Sequence, residues 1–169
     1  MLLPPYLTFP VLHGDGILLR QITLSDIPDI LPISWFRGKL AENAEEAWDM
    51  QEKIFSEYNS GRSIHWGIVE MQSEKMFGTC GFYRGFKNGY GEVGYILRSD
   101  FEGSGLMGKA VELVLNFGFK EMKLTRIFAH TKNDNLRSRK MLERQHFKVA
   151  KELENNLLEY ELFPPNNAS

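Results

Sequence analysis

Residues 102–110 read Glu102-Gly103-Ser104-Gly105-Leu106-Met107-Gly108-Lys109-Ala110, three glycines and a lysine at the head of an apolar run. Glycine lets backbone N–H groups curl round an anion, and a helix that follows adds the positive end of its dipole. From Gly103 onward the spacing nearly matches the phosphate loop G-x-x-x-x-G-K-[ST]. A nucleotide hydrolase needs a hydroxyl at the last position to hold Mg²⁺, and Ala110 has no oxygen. Such a loop also follows directly on a parallel strand, whereas here a run of antiparallel-type strands comes first. The residues therefore favour a pyrophosphate cradle that uses no metal. The plain alternative is a glycine-rich turn without a ligand. His13, His65, His130 and His146 show no metal-ligand spacing and read as ordinary strand or surface residues. The single cysteine, Cys80, excludes an internal disulfide and reads as an inert buried thiol.

The elements that must position this loop can be read from pattern and punctuation. Gly16–Ile22 is a first strand, and Ser25-Asp26 caps a short helix that tolerates Pro28 in its first turn. Residues 34–39 (SWFRGK) form a loop. Asn43–Asn59 places Ala47, Met50, Ile54, Phe55 and Tyr58 near helical spacing and stops at Gly61. Ile64–Met71, Lys75–Tyr83 and Glu92–Leu97 then read as a three-stranded antiparallel meander, with Asn88-Gly89 as a turn signal. Lys109–Lys123 is a buried helix, and Arg126–Thr131 a strand. A helix capped within Asn133-Asp134-Asn135 runs to Gln145, and Phe147–Glu154 with Leu157–Phe163 closes the chain. The tail at 164–169 is expected to fray. This order predicts one α/β domain over 1–169, a mixed, mostly antiparallel sheet of about seven strands flanked by four helices.

Composition sets the outer bounds. The 169 residues fit one domain, with 43% hydrophobic and 25% charged residues close to a soluble average. A net charge of −2 gives no support to nucleic-acid binding and suits a cationic partner only weakly. No apolar run reaches membrane-span length, and the Pro-interrupted N-terminus lacks the basic start of a signal peptide. The default expectation is a cytoplasmic protein without a membrane partner.

The G-x-G-x-x-G spacing after a meander and before an apolar helix resembles the acyl-CoA loop of the GNAT N-acetyltransferases, most closely the RimJ/RimL branch. Gly16-Ile17-Leu18-Leu19-Arg20 with Ser25-Asp26, Phe77-Gly78-Thr79-Cys80-Gly81-Phe82, Glu92-Val93-Gly94-Tyr95-Ile96-Leu97, and Asn135-Leu136-Arg137-Ser138 with Met141-Leu142 and Phe147 resemble that branch's blocks in order and spacing. The chain departs from the general signature at Asp100, where the family has Gln or Arg, and at His146, where it has Gly. The position that holds a proton-donating Tyr in many members is Leu142; RimJ/RimL-like members instead carry a Ser at the Ser138 position.

The resemblance implies acetyl-CoA as co-substrate and a primary amine as acceptor, either a protein N-terminus or a small amine, with direct attack in a ternary complex. Gly103, Ser104, Gly105, Leu106, Met107, Gly108 and Lys109 would hold the pyrophosphate. The resemblance places the pantetheine arm along Ile96 and Leu97, where a strand N–H would polarise the thioester carbonyl. Asn135 would contact the same arm, or serve as a helix cap. Glu92 would deprotonate the ammonium if burial raises its pKa, and Ser138 would hydrogen-bond or protonate the thiolate. Arg137, Arg139 and Lys140 read as a solvated basic face. Trp35, Phe36, Trp48 and Trp66 read as core packing more than as a pocket wall. No metal is expected. A homodimer through exposed strand edges is compatible with the pattern. A non-catalytic acyl-CoA sensor on the same fold is the alternative.

Overall fold

A computed structural model describes residues 1–165. Residues 166–169, most of the tail expected to fray, lie outside it. The apolar N-terminal segment is a strap across the core. Leu3, Tyr6 and Phe9 pack on the hydrophobic interior, and Trp66 Nε1 donates to the Pro10 carbonyl at 2.8 Å. This strap leads into β1 (Leu12–Gly14), which pairs antiparallel with β2 (Ile17–Arg20). A capping box then turns the chain: Asp26 Oδ2 accepts from the Thr23 N–H at 2.7 Å, while Arg20 grips both Asp26 oxygens at 2.7 Å. The short α1 (Ile27–Ile30) follows between two 3-10 turns.

Residues expected as a loop form a small hairpin instead, β3 (Trp35–Phe36) with β4 (Lys39–Leu40). Its two-residue turn is Arg37-Gly38, both at positive φ (50° and 83°), as a primed turn requires. α2 (Ala44–Asn59) starts where expected, with Asn43 Oδ1 accepting from the Glu46 N–H at 2.9 Å. β5 (Ile64–Glu70), β6 (Met76–Tyr83) and β7 (Tyr90–Leu97) form the predicted meander. α3 (Leu106–Lys120), β8 (Arg126–Lys132), α4 (Leu136–Arg144), β9 (Lys148–Leu153) and β10 (Leu157–Leu162) complete the chain.

The main sheet has eight strands in the order β1-β2-β5-β6-β7-β8-β10-β9. The expected count was about seven; the extra strand is β1, whose three residues are too short for alternation to show. Two apolar cores lie on opposite faces. On one, α3 packs Ala110, Val111 and Val114 against Trp66, Phe82 and Ile127. On the other, α1 and α2 pack Ile27, Ile30, Ala47 and Met50 against Val69 and Met76. Cys80 is fully buried in the first core, where burial pushes its thiol well above the usual range.

Every neighbouring pair in this sheet is antiparallel except β7 with β8. That parallel pair holds only at Tyr90–Arg126, Gly91–Ile127 and Glu92–Phe128. Beyond Glu92 the strands part: β7 stays paired to β6 through Leu97, and β8 stays paired to β10 through Lys132. The sheet therefore splays open in its middle, beside α3 and α4.

Candidate active site

The splay leaves one edge of β7, from Val93 to Leu97, without a strand partner. Unpaired backbone groups at a sheet edge are a template for another extended chain. Ile96 and Leu97, the residues the resemblance assigned to the pantetheine arm, lie on this edge. The 102–108 loop follows β7 after a 3-10 turn at Ser99–Phe101. Gly103 and Gly105 sit at φ 77° and 76°, and a Cβ at either would meet nothing within 4 Å. Their glycines answer to backbone conformation and leave open space outside the loop. α3 begins at Leu106, three residues earlier than the sequence indicated, with Gly105 as N-cap and no side chain capping it. The N–H groups of Leu106, Met107 and Gly108 thus belong to the first helical turn, where such donors have no intrahelical acceptor. Ser104 Oγ donates to the Phe101 carbonyl at 2.7 Å and braces the loop. Leu106 N–H makes a long contact to Ser104 Oγ at 3.4 Å, Gly105 itself offers no cap, and such a helix start with an exposed glycine entry fits a pyrophosphate.

Lys109, expected at the pyrophosphate, has its Nζ 2.7 Å from Asp15 Oδ2 in the β1–β2 turn; both side chains reach solvent, and the contact links the loop to that turn. Arg137 pairs with Glu102 and ties α4 to the same loop. Arg139 donates to Asn133 Oδ1 at 2.7 Å and to Tyr160 Oη at 3.2 Å; it closes the turn before α4. Arg139 is thus engaged within the fold, whereas Arg137 keeps a largely solvated side chain beside its partner. Asn135 Oδ1 accepts from the Ser138 N–H at 3.1 Å, so the cap reading of Asn135 holds.

Across the gap, Tyr95 Oη and Ser138 Oγ lie 2.7 Å apart. Tyr95 stands on β7 and Ser138 on α4, so this hydroxyl pair spans the opening. Burial raises the Tyr95 pKa to about 12, which keeps its O–H protonated. Leu142, at the position of the usual helix tyrosine, is fully buried in the core. Sequence reasoning sought a tyrosine on the helix and passed over the one on the strand.

Glu92 is 8% exposed and stands where the two strands part. It pairs with Arg84, and its Oε1 lies 3.2 Å from His130 Nδ1. His130 Nε2 in turn lies 3.0 Å from Glu159 Oε2. Glu159 also accepts from Arg126 at 2.7 Å, and these contacts hold its carboxyl below the usual range against its burial. His130, read as an ordinary strand residue, thus bridges two buried carboxylates. Period-2 alternation puts it on the same sheet face as Phe128, opposite Glu92 in register, a cue that emerges only once the β7–β8 pairing is known.

Glu92 opens onto a cavity of about 850 Å³, lined by α1, the β3–β4 hairpin, α2 and the exposed face of β5–β7. Its lining mixes apolar side chains, Ile30, Ile33, Trp35, Phe36 and Ile54, with polar ones, Arg62, Arg84, His65 and Gln51, and Gln51 stands one turn from Ile54 on α2. Trp35 is half-exposed and lines this cavity, contrary to the core reading, whereas Phe36 both lines the cavity and packs on the second core. Trp66 is fully buried and Trp48 packs on the second core, as expected.

Known proteins share this fold. The family described as acetyltransferase (GNAT) domain matches residues 17–148. The chain is 29% identical over 147 residues to uncharacterized N-acetyltransferase YoaA of Bacillus subtilis (strain 168), covering 82% of this chain and 83% of that protein. Its fold superposes on the ribosomal-protein-S5-alanine acetyltransferase of Vibrio fischeri with a TM-score of 0.76, at 21% identity, over 93% of this chain and 98% of that one. The ribosomal L7/L12 alpha-N-protein acetyltransferase RimL, solved with coenzyme A, gives a TM-score of 0.76 at 17% identity, over 91% of this chain and 98% of that one. No helix among the described residues is long and apolar enough to cross a membrane. The matched segment carries the meander, the splayed strand pair and the glycine loop alike, and the chain is an acetyltransferase of the GNAT family.

Proposed function

We propose that the protein moves an acetyl group from acetyl-CoA to a primary amine by direct attack within a ternary complex. One observation carries this reading: the unpaired β7 edge joins a glycine-lined helix start to a cavity with a buried carboxylate at its inner end. Acetyl-CoA is a substrate here, its pyrophosphate on the Leu106–Gly108 amides and its arm along Val93–Leu97. The acceptor ammonium enters the cavity and gives a proton to Glu92. The freed lone pair attacks the thioester carbon, and a β7 N–H stabilises the charge that grows on the carbonyl oxygen. The C–S bond breaks, the thiolate takes a proton from Ser138, which Tyr95 holds by its own hydroxyl, and Ser138 is reprotonated as the acetylated nitrogen sheds its remaining extra proton to give the neutral amide. No covalent acyl-enzyme is required: Cys80 is fully buried with a raised pKa, unsuited to nucleophilic work. A protein N-terminal amine is one acceptor class, supported by the alpha-N-protein acetyltransferase activity for which the RimL neighbour is named.

Initial rates over a matrix of acetyl-CoA and amine concentrations test this. Intersecting reciprocal plots are expected. Parallel plots, the mark of a ping-pong route through an acyl-enzyme, would overturn it.

A further inference from the structure

The wall of the cavity beside Glu92 has chemistry of its own, which bears on the acceptor if the transferase reading above holds. Three guanidinium groups line the space. Arg37 faces Glu57 at 3.8 Å, and Arg84 pairs with Glu92. Arg62 has no carboxylate partner among the described residues. Its backbone is pinned from both sides: its N–H donates to the Glu57 carbonyl at 2.9 Å, and its carbonyl accepts from the Gly85 N–H at 2.8 Å. The root of this side chain is therefore fixed at the cavity wall.

A second observation is independent of charge. Gln51 is 3% exposed and lines the same cavity, and its Nε2 has no hydrogen-bond partner. An amide nitrogen only donates, so what it lacks is an acceptor. Leaving such a donor buried and unpaired is costly, and native proteins seldom do so without a reason. His65 Nδ1, also lining the cavity, is unpartnered too. Polyamines and amino sugars would bring cations and further donors to a wall already rich in both. A carboxylate brings two acceptor oxygens and a negative charge, and it suits a guanidinium in a bidentate manner. The apolar part of the lining, with Ile33, Phe36 and Ile54, can take an apolar side chain. The cavity volume falls within the range for small-molecule sites.

We propose that the acceptor is an amine that carries an anionic group, foremost a carboxylate, a few bonds from its nitrogen, and that Arg62 and Gln51 receive that group while Glu92 faces the ammonium. Two sources share this chemistry: a free α-amino acid, and a peptide N-terminus with an acidic side chain at its first residues.

The test is thiol release from acetyl-CoA with matched amine pairs. Phenylalanine and phenylalaninamide differ only in the carboxylate; aspartyl-alaninamide and asparaginyl-alaninamide place it on a peptide. Spermidine stands for the cationic class. The acid of at least one pair is expected to exceed its amide in kcat/KM by about tenfold or more. Arg62→Gln and Gln51→Leu should each shrink that ratio while leaving the KM for acetyl-CoA in place. Preference in the first pair assigns a free amino acid, and preference in the second assigns an acidic peptide. Equal use within both pairs, preference for spermidine, or a ratio unmoved by Arg62→Gln would overturn the proposal. So would acetyl-CoA binding with no turnover of any acid, and that outcome leaves the cofactor site standing. Failure to bind acetyl-CoA would instead remove the transferase reading itself, and this inference with it.

Discussion

His65 makes the stability of this protein depend on pH in a window set by burial. It sits on β5, 7% exposed, its ring 5.4 Å from that of Tyr83 and its Nδ1 without a partner. Burial lowers its pKa from 6.5 to about 4. The folded state therefore holds this imidazole neutral, whereas the unfolded chain protonates it below its ordinary pKa. The stability it contributes is complete above that ordinary value and is lost as pH falls toward the folded one. A depression of that size removes about 2 kcal/mol between pH 7 and pH 5. Asp26 and Glu159, whose carboxyls are held below the usual range, lose their contributions only in more acidic solution, so they do not mask this window. Urea unfolding at a series of pH values reads the slope directly. The wild type should lose about 2 kcal/mol across this interval, and His65→Phe, which cannot titrate, should lose less than about 0.5 kcal/mol. Equal slopes in the two proteins would refute the argument, whatever their absolute stabilities.

Other outcomes follow from the site and the core. Tyr95→Phe and Ser138→Ala should each lower kcat by about tenfold to a hundredfold with acetyl-CoA affinity retained, and the double variant should cost little more than either alone, because the two hydroxyls form one hydrogen-bonded pair. Additive losses would show that they act separately. Glu92→Gln should reduce kcat/KM by about a hundredfold or more, measured by thiol release at fixed pH; a loss of under threefold would remove Glu92 as the base. Leu142→Ala should destabilise the protein by about 2–5 kcal/mol in urea unfolding, since the side chain is fully buried between α4 and the sheet; a loss near zero would contradict the core placement.

Much of the fold was legible because local chemistry and tertiary need agree. Asn43 and Asn135 cap helices as their type and spacing indicate. The three meander strands announce themselves by β-branched and aromatic runs between turn residues. The glycine loop was legible for the same reason: only glycine enters a helix comfortably at φ 76°. What escaped was what depends on pairing distant segments. β1 and the β3–β4 hairpin are held by partners and turn geometry rather than by pattern. The contact of Lys109 with Asp15, 94 positions away in sequence, was equally out of reach. His130 and Tyr95 acquire their partners only from the parallel β7–β8 register and the placement of α4 across the gap. Single-sequence reading finds elements and caps; it does not find contacts across a splay.

The central claim is that the opening beside β7 and the α3 start bind acetyl-CoA. Calorimetric titration of the wild type and of Gly105→Glu with acetyl-CoA, with Mg-ATP as control and melting curves to establish folding, tests it most directly. Micromolar binding of acetyl-CoA to the wild type is expected, with none of Mg-ATP, and loss of acetyl-CoA binding in a variant that still melts cooperatively, because a carboxylate then stands where the pyrophosphate must lie. Undiminished acetyl-CoA binding by a folded Gly105→Glu protein, or no binding by the wild type, would contradict it.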